Sequence, residues 1–330
     1  MRLYLAFVLV FCAAATQAAD AEPKSYVDGA KAFIGQVSRK HGFEKKEVAE
    51  LLDRARYRQA IIDAINRPWE AKPWFKYRTL FLTQKRIIAG ARFMRMNRDL
   101  LQRAEVEYGV PPEIVAAIIG IETNFGSNLG KHRVIDALTT LGFSYPKRAT
   151  FFRKELVEFL LLTRDERLDP LAMVGSYAGA VGMPQFIPSS YRAYAVDFDG
   201  DGQRDLWNSK ADVIGSVANY LVRHGWRPGE PVAVEIEVPK QLPSNLSVVE
   251  KKPERPNLTP SQLEAAGIEL PPEIADKEKL NLIRLDAPED EYWLGMSNFY
   301  VITRYNHSNL YAMAVFHLSR EIREQYLAEG

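Results

Sequence analysis

Residues 114–121 constrain the fold of this chain more than any other segment. They read Ile-Val-Ala-Ala-Ile-Ile-Gly-Ile, which is apolar on every side of a helix. Pro111, Pro112 and Glu113 come directly before them, and proline and an acidic residue both favour the first turn of a helix. A helix that is apolar all round has no face for water, so it must be buried. The sequence therefore predicts a central helix that the rest of the chain surrounds.

Hydrophobic spacing predicts helices for most of the remaining chain and strands only late in it. Between residues 26 and 108 apolar residues recur at three- and four-residue intervals, as on the buried face of a helix. After residue 230, alternation of apolar with polar or small residues is typical of strands. The later predicted helices are 151–163, 211–224 and 310–326, and the predicted strand or mixed segments are 232–238, 281–286 and 292–303. Residues 241–272 are rich in Pro, Lys and Glu and predict a surface excursion with a short helix near 260–266. The predicted class is α+β, mainly helical, with a small antiparallel sheet.

The charges of the chain nearly cancel. Its 43 lysines and arginines stand against 42 aspartates and glutamates. Nucleic-acid binding needs a concentrated basic footprint, so nucleic acid is not an expected partner. Apolar residues make up 47% of the 330 residues, which is enough for a sizeable core. Sugars, peptides and other uncharged polymers remain as ligand classes.

The first nineteen residues have the pattern of a cleaved signal peptide. Arg2 gives a positive start, residues 3–15 are an apolar run, and small residues around Ala18 form a cleavage site. The alternative is a transmembrane anchor, but the run is short for ~30 Å of hydrocarbon. Cleavage would remove Cys12, the one cysteine, so we expect an exported chain in a bacterial periplasm without thiols or disulfides. Phe11 stands where a lipoprotein signal has a small residue, so a lipid anchor on Cys12 is not expected.

Glu122 ends the apolar helix and is a candidate general acid. Helical spacing puts it on the same side as Val115, Ile118 and Ile119. Apolar surroundings and the negative end of the helix dipole both disfavour the charged carboxylate, so both raise its pKa. A carboxyl group that stays neutral near pH 7 can act as a general acid. From position alone, a Glu that turns to solvent or forms an ion pair is the alternative.

Two further segments have the composition of a saccharide-binding surface. Residues 176–191 are rich in small residues, so their backbone can approach a ligand closely. Gln185 offers a donor and an acceptor, and Phe186 and Tyr191 offer flat faces. Residues 305–311 cluster amides and aromatic rings just before the last predicted helix. An ordinary tight turn is the alternative for the first segment, and a structural role is the better interpretation of His307 in the second.

Residues 197–212 predict a cation-binding loop. Acidic residues stand at positions 1, 3 and 5 of an EF-hand pattern, glycine at position 6 and a backbone carbonyl at position 7. Position 12 is Asn208, where the usual loop has a bidentate Glu, and the nearest substitute is Asp212. A bound cation would relieve the repulsion among these carboxylates, whereas an acidic surface turn is the alternative. The candidate ligands are Asp197, Asp199, Asp201, Gln203 and Asp212.

Together these segments resemble the lytic murein transglycosylase B family of bacterial peptidoglycan-cleaving enzymes. The matching blocks are IGIETNFGSNLGKHRVIDALTTLGF, GSYAGAVGMPQFIPSSYRAYAVDFDGDG, DVIGSVANYLVRHGW and NFYVITRYNHSNLYAMAV. The resemblance extends from about residue 26 to residue 325. It implies a lysozyme-like core with an N-terminal helical domain and a small inserted β domain. The implied ranges are 1–19 for the signal peptide, 20–107 for the helical domain, 108–228 and 297–330 for the core, and 229–296 for the β domain.

The resemblance also implies a set of site residues. Glu122, in the ETNFG block, is implied as the single catalytic acid and base. The implied sugar contacts are Ser176, Gln185, Phe186, Tyr220, Tyr305, Asn306 and Tyr311, with Tyr77 and Arg148 matched through shorter blocks. The loop at 197–212 is implied to hold one structural Ca²⁺ and to close on Asp212. No organic cofactor is implied, and the expected substrate is the glycan strand of peptidoglycan.

The expected chemistry follows from having one acid. A usual glycosidase needs two carboxylates, ~5 Å or ~6.5–9.5 Å apart. A transglycosylase avoids the second one because the MurNAc C6 hydroxyl replaces water and a 1,6-anhydro sugar forms. A hydrolytic lysozyme-like muramidase and a non-enzymatic, Ca²⁺-stabilised wall-binding module are the alternatives. We expect a monomer, and cell-wall synthases are candidate partners.

Overall fold

The computed structural model describes residues 21–67, 72–274 and 279–329. The predicted signal peptide, residues 1–19, and the predicted absence of a lipid anchor at Cys12 lie outside these residues. Within the described part of the chain, no helix combines the length and the apolar character that a membrane crossing requires.

Among the residues described before the apolar segment, six helices form, as the spacing between residues 26 and 108 predicts. They are α1 (Lys24–His41), α2 (Lys45–Asp53), α3 (Gln59–Ile65), α4 (Trp74–Tyr77), α5 (Gln84–Met96) and α6 (Arg98–Tyr108), with a 3-10 turn at Arg78–Leu80. Thr83 is the N-cap of helix α5, and its side chain accepts a hydrogen bond from the backbone N–H of Arg86. Helix α1 buries Tyr26, Phe33 and Val37. These helices therefore have the one-sided burial that their sequence pattern predicts.

The middle of the chain contains the predicted central helix and the segments around it. They are α7 (Pro112–Thr123), β1 (His132–Arg133), α8 (Val134–Ser144), α9 (Ala149–Asp165), β2 (Val174–Gly175), α10 (Pro188–Tyr194) and α11 (Lys210–Arg223). Every residue of α7 from Ile114 to Gly120 is buried, which confirms the prediction of a buried helix. Helices α8 and α10 were not predicted from the spacing. Helix α8 lies almost wholly in the core, where its apolar and threonine side chains are buried alike.

The last part of the chain contains the strands of the main sheet and the last helices. The elements are β3 (Ala233–Ile236), β4 (Val248–Val249), α12 (Pro260–Ala265), β5 (Asn281–Leu285), β6 (Glu291–Gly295), α13 (Ser297–Tyr305) and α14 (Asn309–Ala328), with a 3-10 turn at Pro272–Ile274. The predicted mixed segment 292–303 divides into the end of β6 and helix α13. Helix α12 begins with a capping box between Thr259 and Gln262, which confirms the short predicted helix near 260–266.

The main sheet has the order β3-β6-β5-β4. Strand β6 pairs antiparallel with β3 and with β5, as predicted. Strand β4 differs, because Val248 and Val249 pair parallel with Leu282 and Ile283. A second, two-stranded sheet joins β1 to β2, with His132 opposite Gly175. This small sheet ties the chain that follows α7 to the chain that precedes residue 176.

Two apolar cores share the main sheet. Alternation along β5 sends Leu282 to a small core with Leu258, Leu263 and Leu280, whereas Ile283 faces the large core. The large core runs from Tyr26 in α1 to Ile322 in α14 and contains α7. Buried side chains from both sides of residue 107 belong to this one core. The predicted domain boundaries stay a prediction, but the helices before residue 107 pack directly on the segments that follow.

Candidate active site

Glu122 lies on the last turn of α7, where the chain reverses sharply. Asn124, Phe125 and Gly126 all have positive φ values, 49°, 59° and 87°, so the helix cannot continue. The ring of Phe125 folds back over Gly120, where an added Cβ would lie 2.6 Å from the Phe125 Cζ. Glycine at position 120 is therefore required for this reversal. The result is a rigid helix end that presents Glu122.

The surroundings of Glu122 favour the neutral form of its carboxyl group. Burial among protein atoms raises its pKa from the ordinary value of 4.5 to about 7. The Tyr311 hydroxyl donates a hydrogen bond of 2.6 Å to Oε1 and lowers the pKa, but burial has the larger effect. Among the described residues, no neighbouring Asp or Glu contributes to this pKa. The side chain as a whole stays partly accessible to solvent. Within the described residues Glu122 forms no ion pair, and its carboxyl group is desolvated although part of the side chain is accessible.

Four aromatic rings form a connected group that reaches Glu122 through Tyr311, and we call Phe186, Tyr220, Tyr305 and Tyr311 the aromatic cluster. The rings of Tyr305 and Tyr311 are nearly parallel, with centroids 6.3 Å apart. Tyr220 contacts Tyr305 at 4.8 Å and Phe186 at 5.5 Å. The Tyr220 hydroxyl donates to the Arg304 carbonyl at 2.6 Å, which fixes its orientation. The structure thus brings together four residues that the resemblance implied and that are far apart in the sequence.

The turn at 182–186 forms a second wall near Glu122. Gly182 has a φ of 70°, and an added Cβ would lie 2.6 Å from the Leu206 carbonyl oxygen. The Thr123 hydroxyl donates to the Met183 carbonyl at 2.8 Å, and the Tyr305 hydroxyl donates to the Pro184 carbonyl at 2.7 Å. The first bond joins the turn to the residue that follows Glu122, and the second joins it to the aromatic cluster. Gln185 has a strained φ of 49°, which only a well-held turn maintains.

The predicted sugar contacts divide by exposure. Phe186, Tyr220 and Tyr311 are almost fully buried, so little of their ring surface reaches solvent. Gln185, Tyr305, Asn306 and Ser176 are half-buried. The Ser176 hydroxyl accepts hydrogen bonds from the backbone N–H groups of Ala178 and Ala180, at 3.3 and 3.0 Å. Ser176 therefore shapes its own loop as well as bordering it.

Tyr77 and Arg148 have different surroundings. Tyr77 is buried, stacks on Trp74 with centroids 6.5 Å apart, and lies close enough to Tyr311 to raise its pKa. Arg148 precedes helix α9 and is exposed, and its guanidinium lies 4.4 Å from the centroid of the Phe151 ring. The structure therefore joins Tyr77 to the Glu122 region but sets Arg148 against aromatic rings of α9.

Sequence reasoning missed two polar residues that hold the site together. Thr123, beside Glu122, accepts from the Gly126 N–H at 3.1 Å in addition to its bond to Met183. Glu155 is buried in α9 and accepts from the backbone N–H and the hydroxyl of Ser189, at 3.0 and 2.8 Å. This carboxylate caps α10 just after the 182–186 turn. A charged residue within the apolar stripe of α9 was the available signal for Glu155.

The loop at 197–212 gathers three carboxylates. Oxygen atoms of Asp197, Asp199 and Asp212 all lie within 4.8 Å of one another. Asp212 is buried, and it accepts from the backbone N–H groups of Phe198 and Asp205, each at 2.7 Å. Burial raises the pKa of Asp212, whereas hydrogen bonds from backbone N–H groups, first that of Gly202, lower the pKa of Asp197. Asp201 lies outside the group and accepts from the Gln203 N–H at 2.8 Å. Three convergent carboxylates are a donor set that suits a hard divalent cation.

The loop and the site are in direct contact. The Met183 N–H donates to the Leu206 carbonyl at 2.8 Å, and Leu206 follows Asp205, which donates to Asp212. A change in the loop can therefore reach the 182–186 turn through two hydrogen bonds. In chemical terms, the region combines one neutral carboxyl group, an aromatic cluster and an adjacent candidate cation loop.

Comparison with known proteins gives consistent matches over almost the whole described chain. A family model described as the transglycosylase SLT domain matches residues 26–320. The membrane-bound lytic murein transglycosylase B of Escherichia coli K12 is 42% identical over 309 residues, which are 89% of this chain and 82% of that protein. The crystal structure of soluble lytic transglycosylase SltB1 from Pseudomonas aeruginosa matches with a TM-score of 0.83 and 47% identity, over 90% of this chain and 98% of that one.

Two further solved structures are informative because of their ligands. The lytic transglycosylase Slt35 of Escherichia coli, in complex with calcium, matches with a TM-score of 0.82 and 42% identity, over 91% of this chain and 94% of that one. SltB3 from Pseudomonas aeruginosa, in complex with NAG-anhNAM-pentapeptide, matches with a TM-score of 0.79 and 29% identity, over 91% of this chain and 80% of that one.

Proposed function

The chain belongs to the transglycosylase SLT domain family, and we propose that it cleaves the β-1,4 bond between MurNAc and GlcNAc in peptidoglycan, leaving a 1,6-anhydro-MurNAc end. It is a lytic murein transglycosylase with a lysozyme-like, mainly helical fold. The observation that carries the proposal is the state of Glu122. Its pKa of about 7 results from burial and from one hydroxyl, without a second carboxylate nearby in the described part of the chain.

In the first step Glu122 acts as the general acid. Its carboxyl proton moves to the oxygen that bridges C1 of MurNAc and the next GlcNAc, and the C1–O bond breaks. Positive charge develops at C1, and the carbonyl oxygen of the substrate's own N-acetyl group stabilises it. A second protein carboxylate is therefore unnecessary.

In the second step the same residue acts as the general base. Glu122, now ionised, takes the proton from the C6 hydroxyl of MurNAc, and the C6 oxygen bonds to C1. The 1,6-anhydro ring closes, Glu122 regains its proton, and no water is consumed. A pKa near 7 suits both steps, because the group must donate and accept a proton in one cycle.

The surrounding residues have two kinds of role in this proposal. The accessible Gln185, Tyr305 and Asn306 are in a position to contact sugars directly, as is Ser176. The buried Phe186, Tyr220 and Tyr77 support them, and Tyr311 holds the Glu122 carboxyl in place. Arg148 stays a proposed sugar contact on the resemblance alone.

Product mass decides between the anhydro route and hydrolysis. We expect wild-type protein acting on purified peptidoglycan to release fragments with no mass added per cut, and no oxygen from isotopically labelled water. A hydrolase would add one water, and one labelled oxygen, to each new MurNAc end. A wall-binding module would release no fragments at all. Mass spectrometry of the released fragments separates these three outcomes.

The rate should fall with rising pH where Glu122 loses its proton. We expect kcat/KM to be level on the acidic side and to decline about tenfold per pH unit above about 7. Since the Tyr311 hydroxyl lowers the pKa of Glu122, Tyr311→Phe should move this decline to higher pH. A pH profile of both proteins measures the displacement. An unmoved or acid-shifted decline would show that Tyr311 does not stabilise the charged form.

Location and the cation are part of the proposal. The predicted signal peptide at residues 1–19 and the peptidoglycan substrate together support action in the periplasm, and a form without a lipid anchor at Cys12 stays a prediction from the sequence. The carboxylates of Asp197, Asp199 and Asp212 would hold one Ca²⁺ with a structural role, and the calcium complex of Slt35 supports this choice of metal. Asp201 and Gln203 stay predicted ligands of the same ion. Monomeric state and contact with cell-wall synthases stay predictions from the sequence.

A further inference from the structure

A cavity outside the candidate active site is lined by His224, whose ring stacks on Tyr220. Its volume is about 300 Å³, and it opens between the end of α11, the start of α13 and two segments that flank the sheet. We call it the Arg255 cavity. Its lining includes His224, Arg227, Glu230, Arg255, Lys279 and Tyr300.

Positive charge dominates the Arg255 cavity. Among the described lining residues, three are cationic, namely Arg227, Arg255 and Lys279, and one is acidic, namely Glu230. Glu230 pairs with Arg227 at 3.6 Å. Within the described residues, neither Arg255 nor Lys279 forms an ion pair with a carboxylate. Two cations without an acidic partner, in one concave site, favour an anionic ligand.

The walls of the cavity are fixed before any ligand binds. Asn298 is fully buried and accepts from the Arg227 N–H at 2.8 Å. It also donates to the carbonyls of Arg227 and Glu230, at 2.8 and 2.9 Å. The guanidinium of Arg255 lies 5.6 Å from the centroid of the Tyr300 ring, and that of Arg304 lies 5.7 Å from it. A wall held by these hydrogen bonds reduces the entropic cost of binding.

The cavity is one aromatic layer away from the proposed glycan site. The His224 ring, in the cavity wall, stacks on Tyr220 with centroids 4.1 Å apart. Tyr220 belongs to the aromatic cluster, which reaches Glu122 through Tyr305 and Tyr311. A ligand that occupies both places must therefore combine sugar with an anionic group a short distance away.

We propose that the Arg255 cavity binds a carboxylate of the peptide that MurNAc carries, through Arg255 and Lys279. The inference rests on the proposed function, because a peptidoglycan substrate supplies both the sugar and a peptide with carboxylates. Arginine and lysine both form charge-assisted hydrogen bonds to such groups. The cavity is thus a peptide-recognition site that lies beside the glycan-binding residues.

The test measures affinity in proteins that cannot turn over the substrate. Glu122→Gln provides this background, and the variant adds Arg255→Gln and Lys279→Gln. The probes are a soluble glycan fragment with its peptide, the same fragment with the peptide carboxylates amidated, and the fragment without peptide. The matched control replaces two exposed cations outside the cavity, Lys45→Gln and Arg92→Gln, on α2 and α5. Thermal unfolding of each protein checks that the fold is intact.

Loss of both cations should weaken binding of the peptide-bearing fragment about fivefold to tenfold at low salt, because surface ion pairs are modest and screened. The amidated and peptide-free fragments should bind the variant and the background equally. The control pair should bind all three probes as the background does. Equal weakening on all probes, or no weakening on any, would overturn the proposal.

Inorganic phosphate distinguishes the other source of anionic ligands. If phosphate binds the background protein through these two cations while the peptide-bearing fragment does not depend on them, the cavity is a phosphate site and the proposal is wrong. Product analysis of the wild type tests the proposed function separately. If the wild type releases anhydro products but affinity for the peptide-bearing fragment does not depend on Arg255 and Lys279, the cavity proposal is wrong and the proposed function stands.

Discussion

Glu122→Gln is expected to reduce glycan cleavage by at least ~10²–10⁴-fold while the protein stays folded and still binds glycan. Glutamine has the shape of the protonated acid and can still accept the hydrogen bond from Tyr311. It can neither release a proton to the glycosidic oxygen nor take one from the C6 hydroxyl. Both steps of the proposed mechanism therefore stop. The measurement is the rate of anhydro-fragment release from purified peptidoglycan.

Glu113→Gln is the matched control, because it makes the same change in the first turn of the same helix, far from its Glu122 end. Its carboxylate pairs with Arg323 at 3.5 Å in a partly exposed position, so its loss should cost little. We expect wild-type rates from this variant. If Glu122→Gln kept more than about a tenth of wild-type turnover, another residue would have to carry the proton.

Glu122→Gln should also stabilise the protein at alkaline pH. The pKa of Glu122 is about 7 in the folded state and 4.5 in the unfolded state. Between these two pH values, folding therefore takes up a proton. The free energy of unfolding therefore falls as pH rises through this window, by up to about 3 kcal/mol for this group. Glu122→Gln should match wild type near pH 4 and exceed it at pH 8. Denaturant unfolding at the two pH values measures the difference, and equal stability at pH 8 would argue against a desolvated carboxyl group.

The sequence predicted those parts of the site that depend on local pattern. The carboxyl group at the end of an apolar helix was visible because its neighbours at three, four and seven residues are on the same face. Its hydrogen-bond partner Tyr311 lies 189 residues away, and the sequence marked Tyr311 as a sugar contact, not as a partner of Glu122. The bond to a tyrosine hydroxyl, and its effect on the pKa of Glu122, required the structure.

The elements that spacing missed are those whose packing overrides local preference. Residues 297–303 read Ser-Asn-Phe-Tyr-Val-Ile-Thr, whose aromatic and β-branched side chains favour a strand. They form helix α13 because Phe299, Val301 and Ile302 are buried on several sides. Helix α8 was missed for a related reason, since burial of its whole circumference removes the period that a surface helix shows. Tertiary burial, not local propensity, decides the secondary structure of both segments.

Calcium is expected to raise the unfolding temperature of wild type and to leave Asp197→Asn/Asp199→Asn unchanged. A ligand that binds only the folded state stabilises it by about 2.7 kcal/mol at a hundredfold excess over Kd. For a chain of this length that corresponds to a shift of roughly 5 °C. The variant keeps one carboxylate of the three that converge, and the affinity for Ca²⁺ depends strongly on ligand charge.

The matched control for the calcium prediction has the same change of net charge at other sites. Asp28→Asn/Asp53→Asn removes two exposed carboxylates from α1 and α2, and it should respond to calcium as wild type does. Asp201→Asn tests the outer predicted ligand, and a partial loss of the calcium effect is expected, since Asp201 lies outside the three-carboxylate group. Melting curves of all four proteins with chelator and with calcium give the comparison.

Without calcium, wild type should no longer be more stable than Asp197→Asn/Asp199→Asn. Asp197, Asp199 and Asp212 repel one another when no cation lies between them, so Asp197→Asn/Asp199→Asn should unfold at a temperature equal to or above that of wild type in chelator. Cleavage at low temperature should survive in part, because the loop does not carry Glu122 and contacts the site at the 182–186 turn, through the Leu206 carbonyl and the Lys210 ammonium group. Equal melting temperatures of wild type with chelator and with calcium would identify the loop as an acidic turn. A lower melting temperature of the variant in chelator would show that the carboxylates stabilise the loop by their backbone hydrogen bonds alone.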